Sequence, residues 1–206
     1  MADTKEKITE AAMTLFTKYG VRSITMEEIA RQTAVSKKTL YQYFADKDDI
    51  VSKSTQRHLE IMKSEYEAIF GGNLSAIDEL YEISKCFRKS LAETNPSLLF
   101  DLQKYHHDAW KVWKNYKTSY VKSIIARNLT KGVEEGVFRK ELDVEILSTF
   151  RIEQVEMSFN DEVFPRDKFD VVEVQMMLFE HFIFGLLTDK GRKNYNKLFT
   201  ANKPTQ

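Results

Sequence analysis

Apolar residues recur at helical spacing along most of the chain, and this pattern predicts an all-α protein. The first helix can be capped by Asp3 or Thr4, and Gly20 closes it. The apolar positions that share one side of this helix are Ile8, Ala11, Ala12, Leu15, Phe16 and Tyr19. We expect this helix to brace the two short helices that follow it.

Longer helices are predicted beyond residue 46. One begins near Lys47 and meets no breaker before Gly71-Gly72, so at about 1.5 Å per residue it spans roughly 35 Å. The further predicted helices cover about residues 75–93, a short segment after Asn95-Pro96, and about 106–135, 143–159 and 168–188. The tail from Lys193 to Gln206 is predicted to be a frayed polar end.

The predicted helix of about residues 168–188 is apolar around almost its whole circumference, with Glu173 and Glu180 as a thin polar stripe. Such a helix must be covered on both sides, by the core of its own chain and by a partner subunit. We therefore expect a homodimer through this helix and the one before it. The residues predicted at the interface are Phe150, Met157, Val171, Val174, Leu178, Phe182 and Leu186.

The stretch TMEEIARQTAVSKKTLYQYFADKDDI, from Thr25 to Ile50, predicts two short helices about a tight turn. Thr25 is a good N-cap for the first helix, and Ser36 is a good N-cap for the second. In the second helix the apolar side chains face inward, while the outward positions are polar, basic or aromatic: Lys37, Lys38, Thr39, Tyr41, Gln42 and Tyr43. This arrangement is typical of a helix-turn-helix that reads a major groove.

The same stretch resembles the signature of the TetR family of bacterial transcriptional repressors. The matching residues are Thr25, Ile29-Ala30, Val35-Ser36, Thr39-Leu40-Tyr41, Tyr43-Phe44, Lys47 and Ile50. Two positions depart from the pattern, because Ala34 and Lys38 stand where that family often has Gly. A left-handed Ala34 would cost on the order of 1 kcal/mol. The alternative is an ordinary helical hairpin with a solvated Lys pair.

The resemblance implies a three-helix DNA-binding domain of residues 1–47, joined by the long helix to a helical ligand-binding and dimerisation domain of residues 48–206. It also implies a repressor that a small molecule releases from a palindromic operator of double-stranded DNA. The residues expected at DNA are Thr25, Ser36, Lys37, Lys38, Thr39, Tyr41, Gln42, Tyr43 and Lys47. Of these we expect Lys37, Lys38 and Tyr41 nearest base edges, and Ser36, Thr39, Tyr43 and Lys47 mostly at phosphates.

Aromatic and Met side chains of the second domain could fill a core or line a largely apolar cavity for a small, apolar or aromatic effector. The candidate lining residues are Met62, Tyr66, Phe87, Trp110, Trp113, Tyr120, Phe150, Gln154 and Met177, with Cys86 or His181 as further polar contacts. The family resemblance favours the cavity. The alternative is a DNA-binding regulator without a ligand, whose second domain serves dimerisation or protein recruitment.

Charge and composition narrow the function further. Lys and Arg together number 31, and so do Asp and Glu, so the chain is not a general polyanion binder. A single Cys86 excludes an internal disulfide and fits a reducing compartment. The chain lacks an apolar segment of the roughly 18 residues that a membrane span needs and an apolar signal region at its N-terminus. We therefore expect a cytoplasmic protein.

Enzymatic candidates are weak. Asp46-Lys47-Asp48-Asp49 resembles the acidic clusters of magnesium-dependent helical enzymes, but caps and first-turn residues explain these positions better. His106-His107-Asp108 could suggest a metal, although zinc ligands on a helix prefer spacings of three or four. The sequence shows neither a Gly-rich phosphate loop nor a nucleophile elbow. We therefore predict no catalytic residue, metal or cofactor.

Overall fold

The computed structural model describes the backbone of residues 3–201 and the side chains of residues 3–199, and within these limits the regular structure is helical. The α-helices are α1 (Thr4–Tyr19), α2 (Met26–Gln32), α3 (Lys37–Tyr43), α4 (Lys47–Phe70), α5 (Ala76–Glu93), α6 (Leu98–Tyr105), α7 (His107–Asn115), α8 (Lys122–Glu134), α9 (Val144–Met157), α10 (Val171–Leu186) and α11 (Asp189–Ala201). The all-α prediction is confirmed. No helix in this range is long and apolar enough to cross a membrane.

The first compact unit contains the described residues up to Ser64 together with Glu93–Tyr116. Its core joins α1 to α4 with two helices from later in the chain, since Leu102 of α6 and Ala109 of α7 are buried in it. The largest fully buried side chains of this core are Ile8, Ile29, Leu40, Phe44 and Ile50. The unit is therefore larger than the predicted DNA-binding domain of residues 1–47. The division at that point stays a prediction about which part contacts DNA.

The second compact unit contains Glu65–Ala92 and the described residues from Lys117 onward. Phe138 is almost fully buried in its core, where it lies against Gly132 of α8. A Cβ at Gly132 would meet the Phe138 ring at 2.0 Å, so only glycine permits this packing. The fully buried carboxylate of Glu79 on α5 also faces α8, where Arg127 and Lys131 pair with it at 3.1 and 2.7 Å. Hydrophobic burial and these ion pairs together hold α5 against α8.

The helix predicted over about residues 106–135 is a continuous helical run with a change of winding in its middle. The run is formed by α7, a π-helical segment (Tyr116–Val121) and α8. Within the π-helical segment Lys117 is buried and pairs with Glu153 at 3.3 Å and with Glu156, both on α9. Periodicity at 3.6 residues per turn predicted the run but not this local change of winding.

The predicted frayed tail is wrong over most of its length, because α11 continues to Ala201. Tyr195 is buried and stacks on Phe199, with the two ring centroids 4.1 Å apart. Phe199 in turn lies edge-on to Tyr81 of α5 at 5.0 Å. Burial raises the pKa of Tyr195 to about 12. Tyr195 and Phe199 thus hold the otherwise polar helix α11 against the second unit. Residues 202–206 of the predicted tail lie outside the described residues.

Candidate DNA-binding site

Helix α2, the first helix of the predicted helix-turn-helix, begins with a capping box. The Thr25 hydroxyl accepts a hydrogen bond from Glu28 N at 3.2 Å, and Thr25 N donates to Glu28 Oε2 at 2.7 Å. The hydrogen bonds from the backbone and hydroxyl of Thr25 lower the pKa of Glu28. Because every partner lies within three residues, the sequence is enough to fix where α2 starts.

The turn between α2 and α3 is a Schellman motif closed by a left-handed alanine. Val35 N donates to Ala30 O at 3.0 Å, and Ala34 N donates to Arg31 O at 3.2 Å. These two bonds satisfy the last carbonyls of α2 and require a left-handed residue between the helices. Ala34 adopts φ of 55°, where a glycine would carry no steric penalty. The left-handed conformation, whose cost was considered for Ala34 from the sequence, is the one that the structure shows.

The second helix, α3, presents a polar face. Ser36 Oγ accepts a hydrogen bond from Thr39 N at 2.9 Å and so caps the helix. Leu40 and Phe44 are buried and anchor the opposite face in the first core. The exposed residues of α3 are Lys37, Lys38, Tyr41, Gln42 and Tyr43. All five belong to the predicted DNA-contact set. Of its other members, Thr25 and Ser36 are exposed and Thr39 is half-buried.

Lys47 differs from the other predicted contacts because its ammonium group already has a partner. Lys47 Nζ donates to Val21 O at 2.7 Å, and the side chain is only partly exposed. Burial lowers the pKa of Lys47, against the opposing influence of Asp48 and Asp101. An ammonium group has three N–H donors, so bonding to Val21 leaves donors for a phosphate. The side chain therefore has a structural role beside the predicted one.

The acidic residues around Lys47 cap the start of α4. Asp46 Oδ1 accepts from Asp49 N at 2.9 Å, and Asp49 Oδ2 accepts from Ala45 N at 3.2 Å. Asp48 Oδ1 lies 2.7 Å from Nδ1 of the buried His106. In the part of the chain that the structure describes, no group of three His, Cys, Asp or Glu residues is placed to hold a metal ion.

The segment Glu93–Tyr116 contacts α1, the chain after α1 and the start of α4, which the sequence did not predict. Asn95 N donates to Thr17 O at 2.7 Å, between the chain after α5 and the end of α1. The Arg22 guanidinium lies over the Tyr105 ring at 5.3 Å. Together with the pair of His106 and Asp48, these contacts attach α6 and α7 to α1 and α4. Leu102 of α6 and Ala109 of α7 also share a core with Leu40, the buried residue of α3.

The nine predicted ligand residues divide between the two compact units. Met62, Trp110 and Trp113 fall in the first unit, and Trp110 packs against its core. The other members, which belong to the second unit, are Tyr66, Phe87, Tyr120, Phe150, Gln154 and Met177. Of these, Tyr66 and Gln154 are buried. Burial raises the pKa of Tyr66, and it also raises that of the free, half-buried Cys86, which lowers the reactivity of that thiol.

The predicted interface set divides between core and surface. Phe182 and Leu186, which were predicted at the dimer interface, are instead buried in the core of their own unit. Phe150 and Met157 are exposed, so both are available to a partner subunit, and their place at an interface stays a prediction. The partly buried members are Val171, Val174 and Leu178. Met177, which was assigned to the cavity, is the most exposed large apolar residue in the described part of the chain, at 73%. The periodicity of α10 could not show which side would face inward, because the helix is apolar all round.

Two short helices, capped by Thr25 and Ser36 and joined by a left-handed Ala34, form a helix-turn-helix, the motif that typically places its second helix in a DNA major groove. Residues 8–53 match the model of the bacterial regulatory proteins of the tetR family. The chain belongs to the TetR family of transcriptional regulators.

Relatives of this chain are regulators of the same kind. It is 30% identical over 89 residues to the HTH-type transcriptional regulator YvaF of Bacillus subtilis, which covers 43% of this chain and 47% of that protein. The chain thus spans about half the length of this relative. It is 22% identical over 151 residues to the HTH-type transcriptional repressor KstR2 of Mycobacterium tuberculosis, covering 70% of this chain and 74% of the repressor.

The fold is also found in a solved structure of the regulator FadR from Bacillus subtilis in complex with stearoyl-CoA. The two chains superpose with a TM-score of 0.60 at 21% identity, covering 87% of this chain and 97% of FadR. At this identity the likeness concerns the fold alone. It shows that the architecture of both units is shared by a ligand-bound regulator.

Proposed function

We propose that this protein is a dimeric repressor that binds a palindromic operator through α3 and leaves it when a small, largely apolar molecule binds the second unit. The exposed face of α3 carries the first half of this proposal. It combines two cations, an amide and two phenols on a helix whose opposite side is fixed in a core. Side chains of these kinds donate to phosphates and to base edges in the major groove.

The exposed apolar residues of the second unit support dimerisation. On α9, Ile146, Phe150 and Met157 repeat at positions that share one side of a helix, and all three are exposed. Met177 is exposed on α10, which contacts α9 through the hydrogen bond from Gln175 to Val155 O at 2.7 Å. Large apolar side chains on two neighbouring helices are typical of a subunit interface. We infer that a second copy of this chain covers them, which would pair two reading helices on a two-fold operator.

Control by an effector is proposed from the path of α4 and from the relatives. The helix begins in the first unit at Lys47, leaves it after Ser64, and carries the buried Tyr66 and Phe70 in the second unit. A ligand that displaces Tyr66 or Phe70 would move α4 as a rigid helix. Because α4 begins at Lys47, directly after the helix-turn-helix, α2 and α3 would move with it. KstR2 is a repressor and FadR binds stearoyl-CoA, which makes an apolar acyl chain a reasonable first class of effector.

The test begins with selection of DNA sites by the purified protein from a random library. We expect a palindromic site, bound by two chains, whose affinity falls as salt rises. Fluorescence anisotropy then compares operator affinity with and without a molecule found by native mass spectrometry to co-purify, or with stearoyl-CoA as first probe. A coupling of about 5- to 150-fold is expected. Equal affinities would favour a regulator whose second unit serves dimerisation or protein recruitment.

The place of action follows from the partner. Since the proposed ligand of α3 is chromosomal DNA, we infer that the protein works in the cytoplasm of its bacterium.

A further inference from the structure

Helix α9 carries a cation that the fold buries without an anion. Arg151 is 6% exposed, and its guanidinium carbon lies 5.3 and 5.8 Å from the ring centroids of Phe179 and Phe182 on α10. Among the described residues, Arg151 forms no ion pair and its Nη1 has no hydrogen-bond partner. Burial lowers the pKa of Arg151 to about 10, so the group is still protonated at neutral pH. Cation–π contacts alone do not compensate a buried charge, which ordinarily has an anion beside it.

On α10, the helix that carries Phe179 and Phe182, Gln175 has a buried amide oxygen without a hydrogen-bond partner among the described residues. Gln175 is fully buried, and its Nε2 donates to Val155 O and to Ser158 Oγ. The Val155 carbonyl can only accept, so the amide orientation is fixed and Oε1 is the atom without a donor among the described residues. The two facing rows, each spaced i, i+4, i+7, are Arg151, Val155 and Ser158 on α9 and Gln175, Phe179 and Phe182 on α10.

Resting on the effector site proposed for the second unit, we infer that Arg151 binds the carboxylate of an amphiphilic effector whose apolar part lies against Phe179 and Phe182. The planar guanidinium fork matches a carboxylate and is the side chain best suited to binding an anion in a dry site. Gln175 Oε1 accepts a hydroxyl or N–H of the same molecule. This assignment narrows the class of effector from apolar molecules in general to apolar acids.

A carboxylate fits the charge of the site better than a phosphate does. Lys117, the buried cation near α9, is already paired with Glu153 and Glu156. Lys117 is therefore not available as a second free cation for a dianion. One free guanidinium balances one carboxylate.

The experiment compares matched probes that differ only in their head group. Dodecanoate, dodecanol and dodecyl phosphate, and likewise 4-phenylbutyrate and 4-phenylbutanol, are titrated into the full-length protein by isothermal calorimetry. We expect each acid to bind about tenfold to hundredfold more tightly than its alcohol. Arg151→Met should remove this preference and leave alcohol binding in place, while Arg151→Lys should keep part of it. Arg88→Met, which removes an exposed arginine of α5, should change nothing.

A second measurement separates folding from binding. Replacement of an unpaired buried charge by Met should not lower the melting temperature of the ligand-free protein, so the variant is expected to fold. Equal binding of acid and alcohol would overturn the inference, and tighter binding of the phosphate would overturn the choice of a carboxylate. If Arg151→Met changes the sedimentation of the dimer but not the binding of the probes, Arg151 is an interface residue instead. If no probe binds, the inference fails, and the operator assay with co-purified molecules then decides separately on the proposed function.

Discussion

Replacement of Ala34 by glycine should stabilise the first unit. Ala34 holds φ of 55°, a region that costs an L-residue with a Cβ about 1–2 kcal/mol. Glycine removes this cost but gains freedom in the unfolded chain, worth about 0.4–1 kcal/mol in the other direction. The side chain is exposed, so loss of its methyl group sacrifices little packing. The two hydrogen bonds of the turn involve only main-chain atoms and remain. The net gain is then about 0.5–1 kcal/mol.

The assay is urea unfolding followed by tryptophan fluorescence. Both tryptophans, Trp110 and Trp113, belong to the first unit, so their emission reports on the part of the molecule that contains the turn. For a chain of this size a gain of 1 kcal/mol corresponds to a rise in melting temperature of about 2–4 °C. Ala11→Gly in the middle of α1 is the matched control and should destabilise by about 1 kcal/mol.

The comparison of Ala34→Gly with Ala11→Gly is decisive, because the same substitution is expected to raise the free energy of unfolding in the first variant and to lower it in the second. If Ala34→Gly lowers the urea midpoint as Ala11→Gly does, then Ala34 is not left-handed in solution and the Schellman turn is wrongly described. An unchanged m-value in both variants would show that the comparison concerns stability alone.

Other residues give sharper tests of the proposed function. Lys47→Ala should weaken all DNA sites alike and reduce the salt slope by about one, and it should also lower the urea midpoint because Val21 O loses its donor. Lys37→Ala should instead relax preference at particular base pairs by about 1–3 kcal/mol in competition binding. Met177→Glu should give a folded monomer by analytical ultracentrifugation, since this side chain is exposed. Glu79→Gln should lower the free energy of unfolding by about 1–3 kcal/mol, because two cations lose a buried partner.

Each of these predictions has an outcome that contradicts it. An unchanged salt slope for Lys47→Ala would leave that residue with only its structural role. If Lys37→Ala weakens binding to all DNA sites equally, Lys37 contacts phosphates rather than base edges. A wild-type protein that sediments as a monomer at micromolar concentration would remove the dimer, whatever Met177→Glu does. Full stability of Glu79→Gln would mean that water replaces the lost contacts.

Several features of this protein could be predicted because their partners lie close together in the sequence. The caps at Thr25 and Ser36 depend on groups three residues away, and the left-handed conformation of Ala34 follows from the turn that it closes. The absence of a helix breaker before Gly71-Gly72 likewise predicted that α4 extends to Phe70. The polar outward face of α3 could be predicted for the same reason, since Leu40 fixes the inward side of a short helix.

Tertiary structure alone decided which apolar and charged groups became buried. Helix α10 is apolar all round, so only packing placed Phe182 in the core and left Met177 exposed. Trp110 joined the first unit although it follows α5 in the chain, and α11 became ordered because Tyr195 found a place in the second core. Arg151 was buried by a neighbour some thirty residues further on, where helical periodicity has no influence. Burial depends on which surfaces meet, because the hydrophobic effect is non-directional and scales with the area removed from water.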